Sequence, residues 1–103
     1  MHKNWLKTNF LSTVEAQAAK RNLSNLTIAP VLSWNNQKIK AHIDALLELD
    51  GAKIVFGGEP LKEAHNIPEI YGSFQPTMVY VPLKHFRGEK KFKLITTEVF
   101  GPF

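Results

Sequence analysis

The chain has 103 residues, of which 44% are hydrophobic and 21% are charged, a balance typical of a folded globular domain and too hydrophobic for a disordered one. It contains no cysteine, which excludes disulfides, thiolate metal sites and a thiol nucleophile within these residues. The formal net charge is +4, but only residues 84–93 are locally basic, and no DNA-binding motif accompanies them, so nucleic-acid binding ranks last among the functions considered.

The first predicted helix runs from about Asn9 to Arg21, because apolar side chains recur there at three- and four-residue spacing. Thr8 or Ser12 begins this pattern, and Ser12-Thr13-Val14-Glu15 has the spacing of a capping box. Residues 22–25 should end the helix. Residues 26–32 then predict a partly extended connection, since Pro30 has no N–H and disfavours helical angles at the residue before it.

A second helix is predicted to begin with Asn35 or Asn36 as its N-cap and to end at Gly51. Its apolar side chains share one face, which should turn toward the core, while the charged residues lie mostly on the other face. The apolar residues are Ile39, Ile43, Leu46 and Leu47.

Two short strands should follow the helices. Residues 52–56 are apolar and rich in β-branched side chains and stop at Gly57-Gly58, and residues 77–81 form the clearest strand pattern, bracketed by two prolines. We expect residues 59–73 to be irregular, residues 83–91 to form a polar excursion, and Phe92–Ile95 to be a further extended piece. The fold class predicted is α/β, with two N-terminal helices followed by short strands in a single partial domain, 1–103.

Isolated residues offer little evidence of a catalytic or metal site. The glycine pair after the first strand lacks the rest of a phosphate-binding motif, so it predicts a turn that ends the strand. The four histidines are too dispersed for metal-ligand spacing and are expected to be surface or hydrogen-bonded residues. They are His2, His42, His65 and His85. No serine stands in a Gly-x-Ser-x-Gly context.

Glu98-Val99-Phe100-Gly101-Pro102 is similar to the Glu-x-Phe-Gly-Pro signature of the aldehyde dehydrogenase superfamily. Other stretches stand in that family's order at similar spacing, and through them the chain resembles the plant-type pyrroline-5-carboxylate dehydrogenases within it. These are Asn4-Trp5, residues 26–32, Gly51-Ala52-Lys53, Gly57-Gly58, Ile70-Tyr71-Gly72 and Pro76-Thr77. One departure is Ala29, where the superfamily commonly has glycine before the proline.

The resemblance implies NAD-dependent oxidation of glutamate semialdehyde, the open form of pyrroline-5-carboxylate, to glutamate in proline catabolism. In that chemistry a cysteine thiolate attacks the aldehyde, hydride passes to the nicotinamide, and an activated water hydrolyses the thioester. Glu98 matches the glutamate that accepts hydrogen bonds from the nicotinamide ribose hydroxyls. Phe100 matches the aromatic residue beside the nicotinamide. No residue of this chain matches a catalytic position, so the segment alone is expected to be inactive and to bind NAD at most weakly.

The same resemblance implies that the chain is part of the catalytic domain of a larger subunit, beginning just after the nucleophilic cysteine. The expected partners are the remainder of the dehydrogenase subunit and, for the parent enzyme, further identical subunits, with no nucleic acid and no membrane. The mitochondrial matrix is the expected location of the parent, although no targeting segment is recognisable in this chain. The alternative function is that of a non-catalytic truncated paralogue, which binds a partner through exposed sheet edges.

Overall fold

The chain folds into helices and two short strands in its computed structural model, which describes residues 3–103. The two strands form one antiparallel ladder. The elements are α1 (Lys3–Leu6), α2 (Phe10–Ala19), α3 (Asn36–Leu47), β1 (Lys53–Phe56), β2 (Met78–Tyr80), a 3-10 helix (Leu83–Arg87) and α4 (Glu89–Thr96). The mixed helix and strand composition and the order of α2, α3, β1 and β2 are confirmed, whereas α1 and α4 are additional helices.

Helix α2 lies within the predicted range but does not use the predicted capping box. Its N-cap is Asn9, which makes no side-chain cap, and the Thr8 hydroxyl accepts the Phe10 N–H at 3.2 Å. The Ser12 hydroxyl donates to the Asn9 carbonyl at 2.9 Å, so Ser12 lies inside the first turn. The helix therefore begins nearer Thr8 than Ser12, and none of its residues is buried.

Helix α3 contributes more buried apolar residues to the core than any other element of residues 3–103, as its apolar pattern predicts. Asn35 is the N-cap, and its side-chain oxygen accepts the Lys38 N–H at 2.8 Å. The predicted end at Gly51 is wrong by several residues, because the helix ends at Leu47 and Gly51 instead takes a positive φ of 82° in the turn that leads to β1. The buried cluster comprises Val31, Ile39, Ile43, Phe74 and Val99, with Trp34 and Leu47 packed against it.

The segment after β2 differs most from the prediction. Phe92–Ile95 was predicted to be extended, but it lies in α4. The four-residue apolar stretch is too short to distinguish a strand from a helix by its period, whereas the preceding Glu89-Lys90-Lys91 consists of good helix formers. Residues 83–91 are also not a simple excursion, since they hold the 3-10 helix and the start of α4.

The predicted turn after β1 and the predicted connection before α3 are both confirmed. Gly57 and Gly58 have φ values of 75° and 86°, which end the strand in a conformation that favours glycine. In the connection, Val31 and Gly72 exchange two backbone hydrogen bonds of 2.7 Å in an isolated antiparallel bridge. No helix within residues 3–103 combines the length and the hydropathy needed to cross a bilayer.

Candidate functional site

The Glu-x-Phe-Gly-Pro segment follows α4 and is held to the core by its second residue. Val99 is buried beside Val31, whereas Glu98 and Phe100 on either side of it are exposed. This alternation is the pattern of extended backbone, in which residues two apart lie on one side. The segment therefore holds one side chain in the core and leaves the two predicted cofactor-binding side chains in solvent.

The Glu98 carboxylate has no hydrogen bond or ion pair with any of residues 3–103. The Phe100 ring is 67% exposed. A short turn follows, because the Gly101 N–H donates to the Val99 carbonyl at 2.8 Å and the Phe103 N–H donates to the Gly101 carbonyl at 2.8 Å. Both predicted residues thus remain available for contact with another molecule.

Thr77 joins three stretches that are far apart in the sequence. Its hydroxyl accepts the Gly58 N–H at 2.9 Å and donates to the Gln75 carbonyl at 2.8 Å. Its backbone N–H donates to the Pro102 carbonyl at 2.8 Å. The glycine pair, the Pro76-Thr77 pair and the signature turn, on which the family resemblance depends, therefore meet at one buried threonine that is 6% exposed.

Close packing at this junction explains two of the glycines. A β-carbon at Gly57 would lie 2.2 Å from the Pro76 carbonyl oxygen, and one at Gly101 would lie 2.3 Å from a Val31 methyl carbon. Such distances are far below van der Waals contact, so neither position accepts a side chain without displacement of its neighbour. The glycines allow the strand end and the signature turn to approach their neighbours closely.

Two histidines among residues 3–103 are buried, and neither is a residue predicted to bind the cofactor. The His42 ring packs edge-on to Trp34 at 5.3 Å between centroids and against Phe103 at 5.6 Å, and burial lowers the pKa of His42 below its usual value near 6.5. His85 Nε2 lies 2.7 Å from the Asp50 carbonyl oxygen.

The remaining histidines do not change this description. The exposed His65 accepts the Ile67 N–H at its Nδ1 atom, at 3.2 Å. The prediction for His2 lies outside the described residues. Within residues 3–103 no group of three or more His, Asp or Glu side chains is placed to hold a metal ion.

A surface ion pair lies beside His85. The Lys84 ammonium donates to the Asp50 carboxylate at 2.6 Å, and this hydrogen bond lowers the pKa of Asp50. The pair is exposed on both sides, so it contributes little to stability.

Sequence reasoning missed the roles of Thr77 and His42. The Pro76-Thr77 pair was a visible signal, since a hydroxyl-bearing residue just before a strand can bond to neighbouring backbone groups. Nothing in the sequence indicated that its partner would be Gly58. The contact between His42 and Phe103 spans 61 positions along the chain, a separation that no local pattern predicts.

Comparison with known proteins gives two matches that cover this whole chain. The chain is 45% identical over 103 residues to a probable aldehyde dehydrogenase of Linum usitatissimum. It is 43% identical over 104 aligned positions to the mitochondrial Delta-1-pyrroline-5-carboxylate dehydrogenase 12A1 of Arabidopsis thaliana. Each match covers 100% of the chain but only 18% of the relative. No protein-family model matches the chain.

Identity at this level along the whole chain extends well beyond the motifs on which the resemblance was based. The chain therefore resembles the aldehyde dehydrogenase superfamily throughout, and its predicted likeness to the pyrroline-5-carboxylate dehydrogenases is confirmed.

Proposed function

We propose that this chain is a segment of the catalytic domain of an NAD-dependent aldehyde dehydrogenase that oxidises glutamate semialdehyde, the open form of pyrroline-5-carboxylate, to glutamate in proline catabolism. The full-length identity to two dehydrogenases supports the family, and the name of the Arabidopsis relative supports the substrate. The observation that carries the proposal at the site is the exposure of Glu98, whose carboxylate has no partner within residues 3–103, and of the Phe100 ring two residues later, with the intervening Val99 fixed in the core.

The two residues fit the ribose and nicotinamide of the cofactor chemically. A carboxylate without an internal partner can accept hydrogen bonds from both hydroxyls of a vicinal diol. An exposed phenylalanine ring offers an apolar face to a flat heterocycle. NAD, when bound, supplies the hydride acceptor of the reaction. Glu98 and Phe100 would bind and orient that cofactor, and the turn at Gly101-Pro102, held by Thr77, would fix their position.

The segment alone should not oxidise aldehydes, since it has no cysteine to form the covalent adduct. The rest of the subunit would supply the nucleophile and the remaining cofactor contacts. We further propose that the parent enzyme is a homo-oligomer of the mitochondrial matrix. The support for the location is the mitochondrial name of the Arabidopsis relative.

The proposal is tested by grafting the 103 residues into the Arabidopsis relative in place of its matching segment and measuring NADH formation from pyrroline-5-carboxylate. In the grafted enzyme, Glu98→Gln should raise KM for NAD at least tenfold, because a hydrogen bond to a charged group is worth about 1.5–3 kcal/mol. The control is Glu89→Gln, which removes another exposed carboxylate in the first turn of α4 and should leave KM unchanged. Equal KM values in the two variants would remove Glu98 from the cofactor site.

A further inference from the structure

The chain exposes more surface than a compact protein of its size. Its accessible surface is 7353 Å², whereas a compact monomer of 11.7 kDa exposes about 5,900 Å². Its radius of gyration is 14.5 Å, against about 13 Å for a compact chain of this length. The molecule is a slab measuring 40 × 31 × 16 Å. The surplus surface is roughly 1,500 Å², nearly twice what each partner contributes to a standard interface.

One apolar groove, which we call the sheet groove, includes two of the exposed large hydrophobic residues, Leu83 and Phe103. It has a volume of about 860 Å³ and runs between α2, the two-stranded sheet and the turn at 101–103. Leu11, Val14 and Ala18 line it from α2 at helical spacing, and Val79 and Leu83 line it from β2 and the 3-10 helix. None of the described residues that line it has a charged side chain. The apolar face predicted for the first helix therefore lines this groove. No residue of α2 is buried in the core.

The sheet groove also borders a strand edge. Within residues 3–103, β2 pairs with β1 along one edge, and at the start of β2 the turn contributes one bond, from the Thr77 N–H to the Pro102 carbonyl. Two-stranded sheets are marginally stable in water. Natural proteins cover or pair such edges.

We propose that the sheet groove receives an apolar, strand-forming segment of the dehydrogenase polypeptide that lies outside these 103 residues. This inference rests on the proposed function. The length of the relatives favours this occupant over a second copy of the chain. They are more than five times as long as the segment they share with it, so the proposed parent subunit contains other segments that can pack on the groove, and the surplus surface suits a segment that packs inside a larger domain. The uncharged lining selects an uncharged segment.

The test compares two exposed apolar residues, one in the sheet groove and one outside it. Leu83 is 76% exposed and lines the groove, and Ile70 is 72% exposed and does not line it. Each is changed to aspartate, first in the 103-residue chain and then in the grafted Arabidopsis enzyme. The chain is followed by thermal melting and light scattering, and the grafted enzyme by soluble yield and NADH formation.

In the chain alone, Leu83→Asp and Ile70→Asp should have the same small effect on melting, and both should leave the molecular mass unchanged. In the grafted enzyme, Leu83→Asp should lower yield and total activity at least tenfold, whereas Ile70→Asp should lower them less than twofold. Equal effects of the two changes in an active graft would overturn the inference and leave the proposed function standing.

A chain that dimerises through the sheet groove, and becomes monomeric with Leu83→Asp, would also overturn the inference and identify a second copy as the occupant. An unmodified graft that folds, binds NAD and is still inactive would instead refute the proposed function, and the inference with it.

Discussion

The junction at Thr77 makes a quantitative prediction for the change Thr77→Val, which keeps the shape of the side chain and removes its hydroxyl. The buried Gly58 N–H loses its 2.9 Å acceptor, and the Gln75 carbonyl loses a 2.8 Å donor. A buried donor left without a partner costs about 1–3 kcal/mol, and an ordinary hydrogen bond contributes about 1 kcal/mol. The free energy of unfolding should therefore fall by about 2–4 kcal/mol.

Urea unfolding followed by circular dichroism measures this difference, with Thr77→Ser as the matched control. Serine keeps the hydroxyl and loses one buried methyl group, which costs about 0.8 kcal/mol. For a domain of this length each kcal/mol shifts the melting midpoint by about 4–8 °C, so Thr77→Val should melt roughly 10 °C or more below the unchanged chain. If Thr77→Val is no less stable than Thr77→Ser, the hydroxyl does not hold the junction together.

Three further predictions concern the same segment and its surroundings. Gly57→Ala should destabilise the chain by at least about 2 kcal/mol, because the φ of Gly57 is 75° and the added carbon would lie 2.2 Å from a backbone oxygen. The control Gly88→Ala should be nearly neutral, since its added carbon has no neighbour closer than 3.9 Å, and equal melting midpoints of the two variants would contradict this prediction. In urea unfolding, Val99→Ala should lower the free energy of unfolding by about 2 kcal/mol, whereas Phe100→Ala should lower it much less because the Phe100 ring is exposed. The reverse order would refute the anchoring of the signature by Val99. Burial lowers the pKa of His42, so as pH falls the unfolded chain takes up a proton at His42 before the folded chain does, and the free energy of unfolding should decline from about pH 6.5 downward. Urea unfolding of His42→Gln over the same pH range should show a shallower decline, and an unchanged decline would contradict the role given to His42.

Local chemistry in the sequence predicts the elements that depend on it. Asn35 caps α3 because its side chain can accept an N–H of the first turn, and that requirement is readable from residue type and position. The glycine pair ends β1 because both residues take a positive φ. The buried face of α3 follows from apolar spacing, and Ile39 and Ile43 are among the most deeply buried residues.

Features that depend on distant contacts are not predictable in this way. The apolar residues of the helix at 89–96 also fit the pattern of a short strand. The Phe92 ring of this helix packs near Phe86, at 6.5 Å between centroids. Helix α2 has the expected period, yet its apolar face is only half-buried because it turns to the sheet groove and not to the core. Glu98 and Phe100 were assigned by family resemblance alone, and their role in cofactor binding stays a prediction.

The central claim is the proposal that these 103 residues form part of the catalytic domain of an aldehyde dehydrogenase. Its most direct test is the rate of NADH formation by the Arabidopsis relative that carries this chain in place of its own matching segment, with pyrroline-5-carboxylate as substrate. We predict a rate within tenfold of that of the unmodified relative. A grafted enzyme that folds, binds NAD and still forms no NADH would contradict the claim.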